Sequence, residues 1–331
     1  MQTPSLPVPV PAPDTGLRWR SIAADDVDAW YALVRRMAQV DKPAWVEHRR
    51  DLEQALETTS GDPGLDTLIG LDKDGAARAY GRIALNAGSE TGSGFGGVDP
   101  AWRRRGIGTA VFRWQEARLH QRLLSEHRKH GVLRTYAEEA NASHVALLQS
   151  AGAEVVRYFT EMTRPLDGEL PDAQLPAGME FRTFSAGNSE AVRLAHNEAF
   201  KDHWGSEPRN KERWGFTVGH PEFRRDWSFA VLDTGSGEVA AYQLASYDPE
   251  SKDIHGYTEG YTMLLGVRRA WRGRGLAPAM LREAMRRFRN DGMDNAGLGV
   301  DTENPSGALG LYESLGYRPT HREVVFDKTV L

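Results

Sequence analysis

The chain repeats itself, and this repeat constrains the fold more than any other feature of its 331 residues. When Val98 is aligned with Val267, the letters AWR follow both valines at the same distance. Two later stretches, residues 138–155 and residues 301–319, also resemble each other and come in the same order. Two similar units in tandem indicate a duplication in which each unit has the size of one domain.

A segment without a regular hydrophobic period separates the two units. Residues 165–177 are rich in proline, glycine and acidic side chains, which predicts a linker. We therefore expect an N-terminal domain over residues 17–164 and a C-terminal domain over residues 178–331. The alternating prolines of residues 1–16 predict a disordered arm.

Both units carry the same order of predicted elements around a stretch rich in arginine and glycine. In the second unit these are a strand over Tyr261–Val267, a helix over Pro278–Arg289, a strand over Ala296–Val300 and a helix over Ser306–Gly316. In the first unit they are a strand near Phe95–Val98, a helix over Gly108–His120, a strand over Leu133–Ala137 and a helix over Ala142–Ser150. The order predicts an α/β (α+β) class with a mixed sheet in each unit.

Composition excludes several classes of function. The formal net charge of −5 and the pI of about 6.1 argue against a broad nucleic-acid surface. The chain has no cysteine, which excludes disulfides and thiolate metal sites, and its ten histidines lack a spacing such as HxxxH, so we expect no metal. No apolar run approaches the ~18 residues of a membrane span, and the N-terminus lacks the features of a signal peptide. We therefore expect a cytoplasmic protein without nucleic-acid or membrane partners.

The arginine- and glycine-rich stretch lies between a strand and a helix, a setting suited to binding phosphate. The first N–H groups of a helix have no partner within it and carry the positive end of its dipole. Gly273 and Gly275 would let the backbone approach a phosphate closely, as Gly106 and Gly108 would in the first unit. The alternative is a solvated turn, but two copies after matching strands favour an anion site. The GxxxxGK[ST] and GxGxxG patterns are not met.

These residues resemble a known motif. Arg272, Gly275 and Ala277 fill the fixed places of (Q/R)-x-x-G-x-(G/A), the pyrophosphate-binding motif of the GNAT superfamily of acyl-CoA-dependent N-acyltransferases. The stretch from Asn304 to Tyr317 resembles the later family motif N-x(7)-Y-x-x-x-G-(F/Y). The resemblance covers nearly the whole chain as two tandem GNAT-like domains.

The resemblance implies a mixed sheet splayed open at its middle, with acetyl-CoA held in the opening. The cofactor-binding residues that it implies are Leu265, Val267, Arg272, Gly273, Arg274, Gly275, Leu276, Ala277 and Asn304 in the second unit, and Val98, Arg103, Arg105, Gly106 and Gly108 in the first.

Acyl transfer to an amine also needs an acid for the leaving thiolate and a base for the amine. Tyr312 is the candidate acid, because a phenol with a pKa near 10 matches a thiolate leaving group. The first unit has Leu148 at the corresponding place, so we expect the chemistry in the second unit. The first unit is then non-catalytic, and either binds acyl-CoA or serves as a scaffold.

The sequence offers three candidates for the general base. Many family members place a glutamate six residues before the position of Val267, where this chain has Tyr261. Glu259 lies two residues further back, on the same face of an extended strand, and is the best candidate, acting through water. His255 and His203 are alternatives, because imidazole titrates near neutral pH.

The acceptor pocket is expected in the stretch from Ala199 to Phe216, where Asp202, His203 and Trp204 combine an acid with an aromatic group. Such a pair suits a cationic, small-molecule amine. Two other readings stay open, a catalytically weak acyl-CoA sensor or scaffold and a protein or peptide N-acetyltransferase. Both a monomer and a homodimer are compatible with the sequence.

Overall fold

A computed structural model of the chain describes residues 8–12, 15–201, 203–303 and 308–331. The chain divides into two compact units, one of Met1–Phe159 with His321–Leu331 and one of Thr160–Thr320. No helix of the described part is long and apolar enough to cross a membrane. Most of the arm expected to be disordered lies outside the described residues, as do Asp202 and Asn304.

The described part of the chain contains twelve named strands interspersed with helices. The strands are β1 (Arg18–Arg20), β2 (Thr67–Leu71), β3 (Ala77–Leu85), β4 (Thr91–Val98), β5 (Val132–Glu138), β6 (Glu154–Pro165), β7 (Met179–Thr183), β8 (Phe229–Asp233), β9 (Val239–Tyr247), β10 (Glu259–Val267), β11 (Asn295–Asp301) and β12 (Arg318–Thr329). The helices are α1 (Val27–Asp41), α2 (Arg49–Glu57), α3 (Pro63–Asp66), α4 (Ile107–Ser125), α5 (Ala142–Ser150), α6 (Ala186–Ala199), α7 (Lys211–Gly219), α8 (Lys252–His255), α9 (Leu276–Asn290) and α10 (Ala308–Ser314).

The first unit has the strand order β1-β2-β3-β4-β5-β12. Its strands pair antiparallel except for β4 and β5, which are parallel. Helix α4 packs on one face through Phe112, Leu119 and Leu123, which are buried. The sheet is therefore mixed, as the sequence predicts.

The second unit repeats this arrangement with the order β6-β11-β10-β9-β8-β7. Strands β10 and β11 are the parallel pair, in the place of β4 and β5. Helix α9 covers one face with Met280, Leu281 and Ala284, all fully buried. On the other face, α6 and α7 pack around Val192 and Trp214.

The division between the units runs inside two strands. In β6 the second unit begins at Thr160, and in β12 the first unit resumes at His321. The end of the chain completes the sheet of the first unit, where Glu323–Thr329 pair antiparallel with β5. The repeat in the sequence does not reveal that the last strand belongs to the first unit, because strand pairing joins residues that are far apart in the chain.

The predicted elements of the repeat lie close to the observed ones. Helix α5 has the predicted bounds, Ala142–Ser150. Helix α9 begins at Leu276, two residues before the predicted start, so Pro278 is its third residue. A proline is tolerated there because the first-turn N–H groups have no partner within the helix.

Candidate active site

The parallel strands of the second unit part in their middle. Strand β10 pairs with β11 only from Glu259 to Thr262, opposite Asn295 to Leu298, although both strands continue. On its other edge β10 stays paired with β9 as far as Val267. The carboxyl half of β10 therefore presents main-chain groups to an opening in the sheet, where an extended chain can hydrogen-bond.

A β-bulge sets the direction of the side chains in β10. The pairing with β9 shifts between Thr262 and Leu264, so Met263 is an extra residue. Beyond it, Leu265 and Val267 pack toward the core around α9, whereas Met263 and Leu264 pack toward α6 and α7. A bulge bends the strand that carries it, and this one follows Thr262, the last residue of β10 that pairs with β11.

The loop after β10 has the backbone that its glycines allow. Gly273 and Gly275 have φ of +73° and +77°, a region in which side chains with a Cβ are strained. Apart from each glycine and its chain neighbours, no heavy atom of the described residues lies within 4 Å of the position of a Cβ there, so the space is open in this part of the structure. Helix α9 begins at Leu276, and its first N–H groups and positive dipole end face this exposed loop. The geometry suits a pyrophosphate.

The arginines of the loop fasten it to its surroundings. The Arg272 guanidinium donates to the carbonyl of Val267 at 3.1 Å and to that of Ala199, at the end of α6, at 2.9 Å. Arg274 donates to the carbonyl of Ala270 at 3.1 Å. Both side chains are exposed, so they also leave positive charge beside the loop.

Tyr312 lies on α10 and packs against the core around α9. Its ring meets that of Tyr317 edge to face, with centroids 6.1 Å apart. Burial raises the pKa of Tyr312, so the phenol keeps its proton at neutral pH. The hydroxyl of Tyr317 is fully buried and has no hydrogen-bond partner among the described residues.

Two carboxylates of the second unit lie on the sheet face opposite α9. Glu259 accepts a hydrogen bond from the Thr163 hydroxyl at 2.9 Å, and burial raises its pKa to about 7. Glu161 accepts one from the Tyr261 hydroxyl at 2.8 Å. The charge of Glu161 is a smaller cause of the raised pKa of Glu259. A carboxylate with a pKa near 7 exchanges protons at neutral pH, as a general base must.

Comparisons with known proteins decide the family. The acetyltransferase (GNAT) family matches residues 190–317. A mycothiol acetyltransferase from Thermomonospora curvata is 30% identical over 285 residues, which cover 83% of this chain and 86% of the relative. One from Streptomyces coelicolor is 27% identical over 318 residues, 93% of each chain. This chain belongs to the GNAT acetyltransferase family.

As a GNAT protein it is an acetyltransferase that uses an acyl-CoA donor, which confirms the predicted enzyme class. A GCN5-related N-acetyltransferase from Sphaerobacter thermophilus has a TM-score of 0.75 at 26% identity, with 97% of each chain covered. A tandem GNAT protein from the clavulanic acid biosynthesis pathway has a TM-score of 0.69 at 18% identity, covering 95% of this chain and 99% of that one, and shares the fold. The predicted tandem GNAT fold is confirmed.

Two of the predicted acceptor residues, His203 and Trp204, lie in the chain between α6 and α7. The His203 ring packs at a tilt against that of Phe200 with centroids 5.1 Å apart, and its Nδ1 lies 3.2 Å from the carbonyl oxygen of Trp204. Phe200 in turn stacks on His196 at 4.7 Å. The other candidate base, His255, stacks on Tyr257 at 5.9 Å.

His196 is a buried group that the sequence did not single out. Its Nδ1 lies 2.6 Å from the hydroxyl of Tyr242, and burial lowers its pKa to about 4. The imidazole is therefore neutral at pH 7, and its Nδ1 shares a hydrogen bond with the Tyr242 hydroxyl. A Cβ at Gly266 would come within 2.5 Å of the Tyr242 ring, so this glycine is required by packing.

The loop of the first unit has the same design with different partners. The Arg103 guanidinium donates to the carbonyl of Val98 at 3.2 Å and forms a bidentate ion pair with Asp41 at the end of α1. Arg105 lies over the Trp102 ring at 4.6 Å. Gly106 has φ of +77°, as Gly275 does.

The N-terminal turn of α4 and the position of the missing acid differ from the second unit. At Gly108, a Cβ would come 2.8 Å from Cδ1 of Leu147, a residue of α5. Leu148, at the place of Tyr312, has 0% exposure and packs in the core of the first unit.

Proposed function

We propose that this acetyltransferase moves an acetyl group from acetyl-CoA to the primary amine of a small molecule, in its second unit. The observation that carries the proposal is that β10 and β11 part beside the positive-φ loop of Gly273 and Gly275. The small-molecule acceptor is supported by the mycothiol acetyltransferase relatives. The first unit is proposed to be non-catalytic.

The donor site is proposed along the opening of the sheet. The loop from Arg272 to Ala277 would hold the pyrophosphate with backbone N–H groups and the α9 dipole. The free edge of β10 at Leu265 and Val267 would pair with the pantetheine arm. Acetyl-CoA, when bound there, supplies a thioester whose carbonyl carbon accepts the amine and whose sulfur leaves as a thiolate.

Two side chains are proposed to move protons. Glu259 takes a proton from the ammonium form of the acceptor through a water molecule, because its pKa of about 7 lets it be ionised and still accept a proton at neutral pH. Tyr312 gives its proton to the departing sulfur, its raised pKa keeps that proton available, and the phenolate then takes the second proton that the acylated nitrogen loses. His203 and Trp204 are proposed to line the acceptor pocket together with Asp202.

Calorimetric titration of acetyl-CoA tests the donor site. We expect saturable binding to the wild type and loss of the second-unit site in Gly275→Glu, because a carboxylate in the loop repels pyrophosphate. Gly275→Ala is the matched control, since it introduces the same strain at φ +77° without charge. A site that survives in Gly275→Glu and disappears when Gly106→Glu is added belongs to the first unit. An absence of binding to the wild type contradicts the proposal.

A further inference from the structure

Two glycines of β11 create a gap on the face opposite α9. Strand β11 lies between β6 and β10, so its side chains would normally separate those of its neighbours. A Cβ at Gly297 would collide with the carboxyl group of Glu259, and one at Gly299 would come 2.6 Å from Oε1 of Glu161. Because both positions are glycine, side chains of β10 and β6 meet across β11.

The two carboxylates in this gap lie at different positions along β11. Glu259 lies over Gly297, where β10 and β11 are still paired. Glu161 lies over Gly299, which follows Leu298, the last paired residue of β11. Two residues along a strand correspond to about 6.6 Å. Glu161 is therefore the carboxylate nearer the opening in which the thioester is proposed to lie.

Hydrogen bonding fixes the orientation of Glu161. Its Oε2 accepts from the hydroxyl of Tyr261, while Oε1 is the oxygen over Gly299. A phenol that donates to a carboxylate stabilises its ionised form. The result is a negative charge held at the mouth of the opening by a residue of β10, the strand that forms one side of it.

We propose that Glu161 binds the ammonium group of the acceptor beside the thioester and thereby selects cationic amines over neutral alcohols. The inference rests on the proposed function and adds a residue that recognises the substrate. Ammonium binding by a carboxylate is a charge-assisted hydrogen bond, and a hydroxyl in the same place lacks the charge. Glu259, which lies two residues further from the opening along β11, then takes the proton through water, and the neutral amine attacks.

Binding of matched probes tests this role without turnover. The probes are glucosamine against glucose and propylamine against propanol, because each pair exchanges an ammonium group for a hydroxyl. Dissociation constants are measured by NMR titration with CoA present. We expect the wild type to prefer each amine by at least about tenfold, and Glu161→Gln to lose that preference.

Two glycine variants distinguish the role of Glu161 from that of Glu259. Gly299→Ala displaces the Glu161 carboxylate and should abolish the preference for amines, whereas Gly297→Ala displaces that of Glu259 and should keep it. Unchanged acetyl-CoA affinity and unchanged thermal unfolding show that each variant is folded. In steady-state kinetics, Glu161→Gln should raise KM for the amine at least about tenfold and leave KM for acetyl-CoA unchanged.

Each result decides between roles. Equal affinity of the wild type for amine and alcohol, or a preference that survives in Glu161→Gln and in Gly299→Ala, overturns the inference. If the preference depends on Glu161 but no amine is acetylated, the proposed function fails and the ammonium site stands. If amines are acetylated and Glu161→Gln changes neither KM nor the preference, the ammonium site at Glu161 fails and the proposed function stands.

Discussion

The two units share a loop and differ in what surrounds it. Gly106 and Gly275 have the same φ of +77°, and Arg103 and Arg272 donate to the last carbonyl of the preceding strand in the same way. In the second unit β10 has a bulge at Met263. In the first unit β4 pairs with β3 without interruption from Val98 to Gly92.

The opening next to the loop also differs. In the second unit the residue after the last paired position is Gly299, and a carboxylate lies over it. In the first unit that residue is Tyr136, whose ring stacks with Phe95 of β4 at 6.4 Å. Duplication has therefore kept the loop in both units, whereas the bulge, the glycine gap and Tyr312 occur in the second.

The largest effect is expected at Tyr312. We expect Tyr312→Phe to lower kcat by about 10²–10⁴-fold, because a general acid contributes an effect of this size, and to leave acetyl-CoA binding intact. Tyr317→Phe is the matched control, since it removes a buried hydroxyl that has no described partner and should keep full turnover. Rates of CoA release measure both. Equal rates in wild type and Tyr312→Phe would exclude the tyrosine as the acid.

The corresponding position of the first unit should affect stability and not chemistry. Leu148 has 0% exposure, so Leu148→Ala leaves a cavity that costs about 2–5 kcal/mol. Thermal unfolding should show this loss in the part of the transition that belongs to the first unit. Below the transition, kcat should stay at the wild-type value. A fall in kcat with an unchanged melting curve would show that the first unit takes part in chemistry.

The pH dependence should report on Glu259. Its pKa of about 7 means that the base is protonated at lower pH, so kcat/KM should fall about tenfold per pH unit below 7 and level off above it. Burial is the main cause of the shift, with the charge of Glu161 adding to it and the Thr163 hydroxyl opposing it. Glu259→Gln should lower the rate and remove this limb. If the limb persists in Glu259→Gln, another group is the base.

The sequence predicted what is local and missed what depends on pairing. The loop, the bounds of α5 and the recognition of the GNAT family follow from short motifs and from helical spacing. The bulge at Met263 leaves no signal in the composition, because its neighbours Thr262 and Leu264 are β-branched or apolar residues of the kind found in any regular strand. Glu161 and Thr163 lie about 100 residues from their partners in β10. Only the order of strands in the second unit brings them beside Gly297 and Gly299.

The smallest expected effect concerns the anchors of the two loops. Among the described residues, Arg103 is held by the carboxylate of Asp41 and Arg272 by the carbonyl of Ala199, so within this part of the chain the first-unit anchor is an ion pair and the second-unit anchor is a hydrogen bond. The pair is partly exposed, with side-chain exposures of 27% and 23%, and such pairs contribute about 0.2–1 kcal/mol. Asp41→Asn should lower the melting temperature slightly at low salt.

Salt then separates charge from geometry at the two anchors. The effect of Asp41→Asn should shrink as salt screens the pair, whereas that of Arg272→Lys should stay the same, because it arises from losing the planar fork that reaches two carbonyls. Melting curves at two salt concentrations measure both. If the change in melting temperature caused by Asp41→Asn did not depend on salt, Asp41 would act as a hydrogen-bond acceptor in the same way as the Ala199 carbonyl. Both loops would then be anchored by hydrogen bonds and not by charge.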